Sequence, residues 1–289
     1  MEGDRRVPGW LVEIVRFFRD LARKFVADRT LDRAAALAFY AILALFPFLI
    51  GMVSLASILM NPRTVETLID DLAGVAPPDV TRLVGSQLRS LVEAGSSSIL
   101  TLSTFGAYWA ASGGMSALMR ALNRIEGVEE TRPFWKSKGI SLLTTLVAVG
   151  FLLTAAVAAV ATPAVARAVG GPLGTFIRLM RIPFAGGLAV FSWEVLYHLL
   201  PNRQRPFRLA SPGSIVAVVL WLLASWGFSL YVENFGRYDV TYGALGAFIV
   251  LLLWLLISSL VVLVGAQINV LLERRRADRG DRGGRPPAG

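Results

Sequence analysis

Two stretches of this chain, Ala34–Met60 and Ala244–Leu272, contain no charged residue, and Ile249–Val264 within the second is an almost unbroken run of Ile, Leu, Val and Trp. An α-helix rises about 1.5 Å per residue, so roughly 20 residues cross the hydrocarbon core of a bilayer. Segments this long and this apolar suit lipid rather than the interior of a water-soluble domain. Four further segments carry the signal more weakly. The expected fold is therefore all-α, a polytopic bundle of six transmembrane helices at about 34–60, 98–119, 140–166, 182–200, 213–232 and 244–272. The second is rich in Gly, Ser and Thr, and the fourth carries Glu194 and His198. With 55% hydrophobic and only 17% charged residues, the chain has too little polar surface to cover a soluble core of that size.

Lys and Arg accumulate in loops that stay in the cytoplasm, which gives a test of topology independent of hydropathy. With the N-terminus inside, the inner segments 1–33, 120–139, 201–212 and 273–289 hold 22 of the 29 basic residues. Five or seven helices would put a basic segment outside, so the charge pattern supports six, with both termini cytoplasmic in a bacterial inner membrane. The net charge of +9 is then explained by insertion topology and by anionic lipid, and it calls for no nucleic acid.

The segments outside the spans carry pattern too. Residues 1–33 form a cytoplasmic N-terminal region in which Trp10, Leu11, Ile14, Val15, Phe18, Leu21, Phe25 and Val26 recur at helical spacing opposite Arg16, Arg19, Asp20, Arg23 and Lys24. Such an amphipathic helix either lies on the inner membrane surface or packs against the protein's own spans. The first outer loop holds two amphipathic stretches, one opening at Asn61-Pro62 and ending at Gly74, the other opening at Pro77-Pro78 and ending at Gly95. These predict two short helices that either cover an outward cavity or rest among headgroups. Residues 273–289, rich in Arg and Gly, read as a disordered basic tail. No cleavable leader is expected ahead of the first span.

Polar groups at membrane depth are costly, so each is a functional candidate. Glu194 and His198 are four residues apart on one helix face, placed either to relay protons, to pair, or to orient a helix end. Gln267 and Asn269 sit near the inner end of the last span, where hydrogen bonding between helices is the plain reading. Pro47 interrupts the first span and either kinks a gating helix or bends a static one. Gly106, Ala110 and Gly114 recur every fourth residue, the pattern that lets helix backbones approach. Cysteine is absent and there is one histidine, so thiolate or multi-histidine metal sites cannot form. No P-loop, nucleophile–base pair or acidic metal cluster is legible, and neither metal, cofactor nor enzymatic activity is expected.

The run from Asp32-Arg33 through Phe39-Tyr40 to Phe46-Pro47 resembles the opening of the first span in the YihY/BrkB family of bacterial inner-membrane proteins. The resemblance continues through Ala121-Leu122-Asn123-Arg124-Ile125, Arg132-Pro133-Phe134, Tyr197-His198-Leu199-Leu200-Pro201-Asn202 and Pro212-Gly213. Tyr231-Val232, Tyr242-Gly243, Trp254 and Gly265-Ala266-Gln267-Ile268-Asn269 complete it. It implies six helices, and its residues, together with the membrane-depth Glu194, make Arg33, Tyr40, Pro47, Asn123, Arg132, Glu194, His198, Pro201, Asn202, Tyr231, Tyr242, Gln267 and Asn269 the candidate polar or pathway positions, with Gly243 and Gly265 as packing positions. The family often shows a carboxylate where this chain has Gln267. A glutamine cannot titrate, so hydrogen bonding is the simpler role here. The family long carried a ribonuclease BN label, against which the missing bases and metal ligands argue. The leading expectation is a transporter or flippase-like protein for a lipid or amphipathic envelope component, with membrane lipids as partners and a homo-oligomer left open. The alternative is a membrane scaffold. A cavity holding Tyr40, Asn123, Glu194, Asn202 and Gln267 would favour transport, and a solidly packed bundle would favour the scaffold.

Overall fold

The computed structural model describes residues 9–59, 97–203, 206–235 and 239–283. Among these every regular element is a helix, and there is no strand. The elements are α1 (Gly9–Ala27), α2 (Thr30–Leu59), α3 (Ser97–Glu126), α4 (Phe134–Val169), α5 (Gly171–Leu199), α6 (Pro212–Phe235) and α7 (Asp239–Gly283). The two short helices expected between 61 and 97 fall outside the described residues.

The chain divides into two compact units, one of Met1–Ala38 with Ala117–Gly289, the other of Phe39–Ser116. In the smaller unit the backbone is helical straight through Pro47. Tyr40 lies opposite Gly114, where an added Cβ would stand 3.7 Å from the Tyr40 Cβ, an ordinary contact. Gly106 has no such neighbour among the described residues. The side chain of Ala110 lies outside the described set.

In the larger unit, four stretches are long and apolar enough to cross a membrane: Phe134–Ala155, Gly171–Leu199, Pro212–Val232 and Phe248–Asp278. They overlap the four later spans read from the sequence. Large apolar side chains point outward along them, Ile182 at 76% and Trp226 at 65% exposure, a surface that water would penalise and hydrocarbon accepts. The interior packs small and hydroxylated residues among aliphatic ones such as Leu122, Ile125, Leu200 and Leu263. Ser141, Thr144 and Ser214 are at most 1% exposed, and Ser141, Thr144 and Thr145 return their hydroxyls to carbonyls four residues back. Trp193, Trp221 and Trp254 meet edge to face at 6.4 and 6.1 Å and so join α5, α6 and α7.

Two sequence expectations need correction. The outer loop implied between 166 and 182 is a tight reversal, because α4 runs to Val169 and α5 begins at Gly171. Gly170 and Gly171 turn the chain at φ 63° and 57°, a backbone region that L-residues resist. Arg178 and Arg181 interrupt the apolar run there, but they do not interrupt the helix. Second, the basic tail is not irregular from 273, since α7 continues to Gly283. Its extension is held by Arg275, which donates to Asp20 at 2.8 Å and stacks 5.1 Å above the Phe17 ring of α1.

Candidate functional site

The basic segments meet at one end of the larger unit. α1 ends in a turn at Asp28–Arg29, and Lys24 bridges that turn to α3 by donating to the Ile125 carbonyl at 2.7 Å while pairing with Asp28 at 2.9 Å. Arg33 Nε donates to the Asp28 carbonyl, which fixes the start of α2. Gln267 on α7 is fully buried, and its Nε2 donates to Asp28 Oδ2 at 3.1 Å and to Thr30 Oγ1 at 2.8 Å. A carboxylate at this position could make neither donation. Hydrogen bonding, the simpler role expected of Gln267, is what the geometry shows.

The loop after α3 and the loop after α5 are joined by a second network. Asn123 Nδ2 donates to Glu130 at 2.8 Å, and its Oδ1 accepts from the Asn202 backbone N–H at 2.7 Å. Arg132 grips the Glu130 carboxylate at 2.7 and 2.9 Å and also donates to the Leu200 carbonyl at the end of α5. Asn202 Nδ2 returns to Glu129 O and Thr131 Oγ1, and Pro201 is buried beside it. The hydrogen bond from Arg132 holds the Glu130 carboxyl below the ordinary glutamate range, against partial burial, with Asn123 assisting. These bonds tie the loop after α3 to the loop after α5, so the clamp positions loops.

The third arrangement is more open. α6 starts in a reciprocal cap, the Ser211 N–H donating to Ser214 Oγ and the Ser214 N–H to Ser211 Oγ. Asn269 of α7 accepts from the Gly213 N–H at 2.7 Å and donates to Ser211 Oγ at 2.8 Å. This contact requires glycines on both helices. A Cβ on Gly213 would strike the Gly265 carbonyl, and one on Gly265 would stand 2.8 Å from the Gly213 carbonyl and 2.6 Å from the Tyr197 hydroxyl. Tyr197 itself donates to the Val262 carbonyl.

Beside this crossing, between α5, α6, α7 and the loop leading into α6, is a cavity of about 190 Å³. Its buried wall includes Glu194, Tyr197 and Ser211, and its exposed side carries Arg203, Arg208 and Arg276, with His198 and Glu273 also lining it. Glu194 is 7% exposed, and its Oε2 has no hydrogen-bond partner among the described residues. Glu194 and His198 share the cavity, yet no hydrogen bond joins them; His198 meets the edge of Phe207 at 5.3 Å between ring centres. Arg203 is held by Glu126 at 3.0 Å and lies 3.9 Å from Glu273.

Of the five residues expected together in a transport cavity, only Glu194 lines it. Asn123 and Asn202 belong to the loop clamp, Gln267 to the network around Asp28, and Tyr40 to the smaller unit. Tyr231 is exposed on α6 and stacks on Phe228 at 5.9 Å. Tyr242 and Gly243 lie on α7, and nothing is described of their side chains. The reading from sequence missed Arg203, Arg208, Glu273 and Arg276, since basic residues beside spans are already explained by topology. Among the described residues no three His, Asp or Glu side chains come together as a metal site would need.

Apolar helices in this number, exposing their large side chains outward and joining their basic loops at one end, define a multi-pass integral membrane protein. The virulence factor BrkB family model matches residues 21–288, and the chain belongs to that family. It is 30% identical over 271 residues to the ribonuclease-like protein YfkH of Bacillus subtilis, covering 90% of this chain and 96% of that one. It is 30% identical to a UPF0761 membrane protein of Chromohalobacter salexigens, covering 95% of this chain and 67% of the relative. A UPF0761 membrane protein of Alkalilimnicola ehrlichii is also 30% identical, and there the match spans 59% of the relative's length. No solved structure matches the chain.

Proposed function

We propose that this protein is a transporter or flippase-like protein of a bacterial cytoplasmic membrane, with six spans, that moves a lipid or amphipathic envelope component. The observation that carries the reading is the cavity beside the α6–α7 crossing, where Glu194 is buried with an oxygen that no described residue partners. Burying an ionisable group without a partner costs several kcal/mol, and at membrane depth a static role does not repay that cost. Both termini and the basic end face the cytoplasm in this reading, as the distribution of Lys and Arg favours. α2 and α3, at 30 residues each, supply the first two spans.

The second reading is a scaffold without transport. The observation favouring it is the clamp around Asn123, Arg132 and Asn202, a rigid polar platform at the basic end. The ribonuclease reading in the name of the Bacillus subtilis relative has no comparable support, because the single histidine faces Phe207 and the acids of the clamp are engaged by Arg132 and Arg203.

The test is lipid translocation in liposomes containing the full chain, followed by quenching of fluorescent lipids from the outer leaflet. Wild type is expected to accelerate exchange over protein-free liposomes, and Glu194→Ala to lose the acceleration. Wild-type liposomes that exchange no faster than empty ones, for zwitterionic and anionic lipids alike, would end the transport reading and leave the scaffold.

A further inference from the structure

The geometry points to a particular occupant of the cavity: a phosphate ester that carries a primary ammonium group a few bonds away, the headgroup chemistry of an aminophospholipid. The assignment rests on reading the cavity as a substrate site, and it follows from how the lining divides. The exposed side holds Arg208 and Arg276, and neither makes an ion pair or hydrogen bond with another described residue. A guanidinium presents a planar fork of N–H donors that matches phosphate oxygens. Arg203, the third arginine, is already engaged by Glu126. The buried side holds Glu194, whose free Oε2 can only accept when ionised, so whatever meets it must donate.

The other buried polar groups of the wall are occupied. Tyr197 donates to Val262, and Asn269 and Ser211 are tied to each other and to the start of α6. With Arg203 and Glu273, which face each other at 3.9 Å, and the His198 ring against Phe207 set aside, the lining offers two arginines on the exposed side and one carboxylate acceptor within. A simple anion would satisfy the arginines and be repelled by Glu194, whereas a simple cation would meet the reverse. A group bearing both charges satisfies both. A space of about 190 Å³ is far more than one water requires and suits a small polar headgroup. Phosphatidylglycerol lacks the cation, and phosphatidylcholine has a cation with no N–H to donate.

Native mass spectrometry of the full chain in detergent, with equimolar phosphatidylethanolamine, phosphatidylglycerol and phosphatidylcholine of identical acyl chains, tests the assignment. Wild type is expected to retain one phosphatidylethanolamine over either competitor by about tenfold, the size of one charge-assisted hydrogen bond. Glu194→Gln, which keeps shape and removes the charge, should bring that ratio close to one. Arg208→Gln with Arg276→Gln should weaken all three lipids together and leave the ratio in place. Soluble phosphoethanolamine separates the sources: displacement of the lipid by it makes the free ester a sufficient ligand, and no displacement commits the site to the lipid. Equal retention of the three lipids by wild type, or a preference that Glu194→Gln leaves intact, overturns the proposal. Selective retention without translocation in liposomes would keep this occupant and remove transport. Translocation blind to headgroup would do the opposite.

Discussion

Replacing Gly265 by alanine should destabilise the protein, although alanine is the better helix former by about 1 kcal/mol. The new Cβ would lie 2.6 Å from both the Ala217 Cβ and the Tyr197 hydroxyl and 2.8 Å from the Gly213 carbonyl. Carbon atoms rest at about 3.5–4.0 Å, so α6 and α7 must part by roughly 1 Å at their crossing. Overpacking of this kind costs about 1–3 kcal/mol. Parting the helices also stretches the Gly213 N–H bond to Asn269 and displaces the Tyr197 hydroxyl, each worth about 0.5–1.5 kcal/mol. After the gain in helix propensity is set against these terms, the loss at the middle of each range is about 3 kcal/mol. At about 2–4 °C per kcal/mol for a domain of this size, Tm should fall by about 6–12 °C. The assay is thermal unfolding followed by tryptophan fluorescence on the full chain in detergent, at one fixed scan rate because unfolding of membrane proteins is commonly irreversible. Gly106→Ala is the control. It has no described neighbour within 4 Å, so propensity alone should leave Tm unchanged or higher. Gly265→Ala melting at or above wild type would refute the close crossing.

Gln267→Glu should lower Tm more than Gln267→Met, because a carboxylate would face Asp28 where an amide now donates, whereas methionine keeps the volume and removes the unpartnered Oε1. The opposite order would show that the Asp28 contact is not what the amide provides. Glu130→Gln probes the loop clamp. The folded-state carboxyl is held down by Arg132, so its contribution is present above the ordinary glutamate pKa and is lost as pH falls through the depressed one. The difference in Tm between wild type and Glu130→Gln should therefore be clear at pH 7 and close as the medium becomes acidic enough to protonate Glu130. A difference independent of pH would contradict the charged clamp.

How much of this was legible depends on whether a residue's partner lies nearby in sequence. Hydropathy located the four later spans, because lipid demands a long apolar run whatever the packing. It misjudged the reversal at Gly170–Gly171, since Arg178 and Arg181 lower hydropathy without breaking a helix, and the paired glycines were the better signal. The pattern from Trp10 to Val26 foretold α1, but not that Phe17 and Asp20 would receive Arg275 from the far end of the chain. The resemblance drew attention to Asn123 and Asn202, yet their bond joins positions 79 residues apart, which no local spacing encodes. The cavity was half legible. Glu194 stood out as a charge at membrane depth, while Arg208 and Arg276 were hidden among the basic residues that topology alone requires.

The extension of α7 changes what a truncation of this protein means. Residues 273–289 look dispensable, the kind of tail commonly trimmed before purification. Yet Glu273 and Arg276 line the cavity, and Arg275, between them on the same helix, is the bearing on which α1 rests. One helix thus serves as wall on one side and as the seat of α1 on the other. Cutting the chain after Leu272 would breach the cavity and unmoor the N-terminal helix in a single stroke, and a defect in such a variant could not be assigned to a flexible appendage.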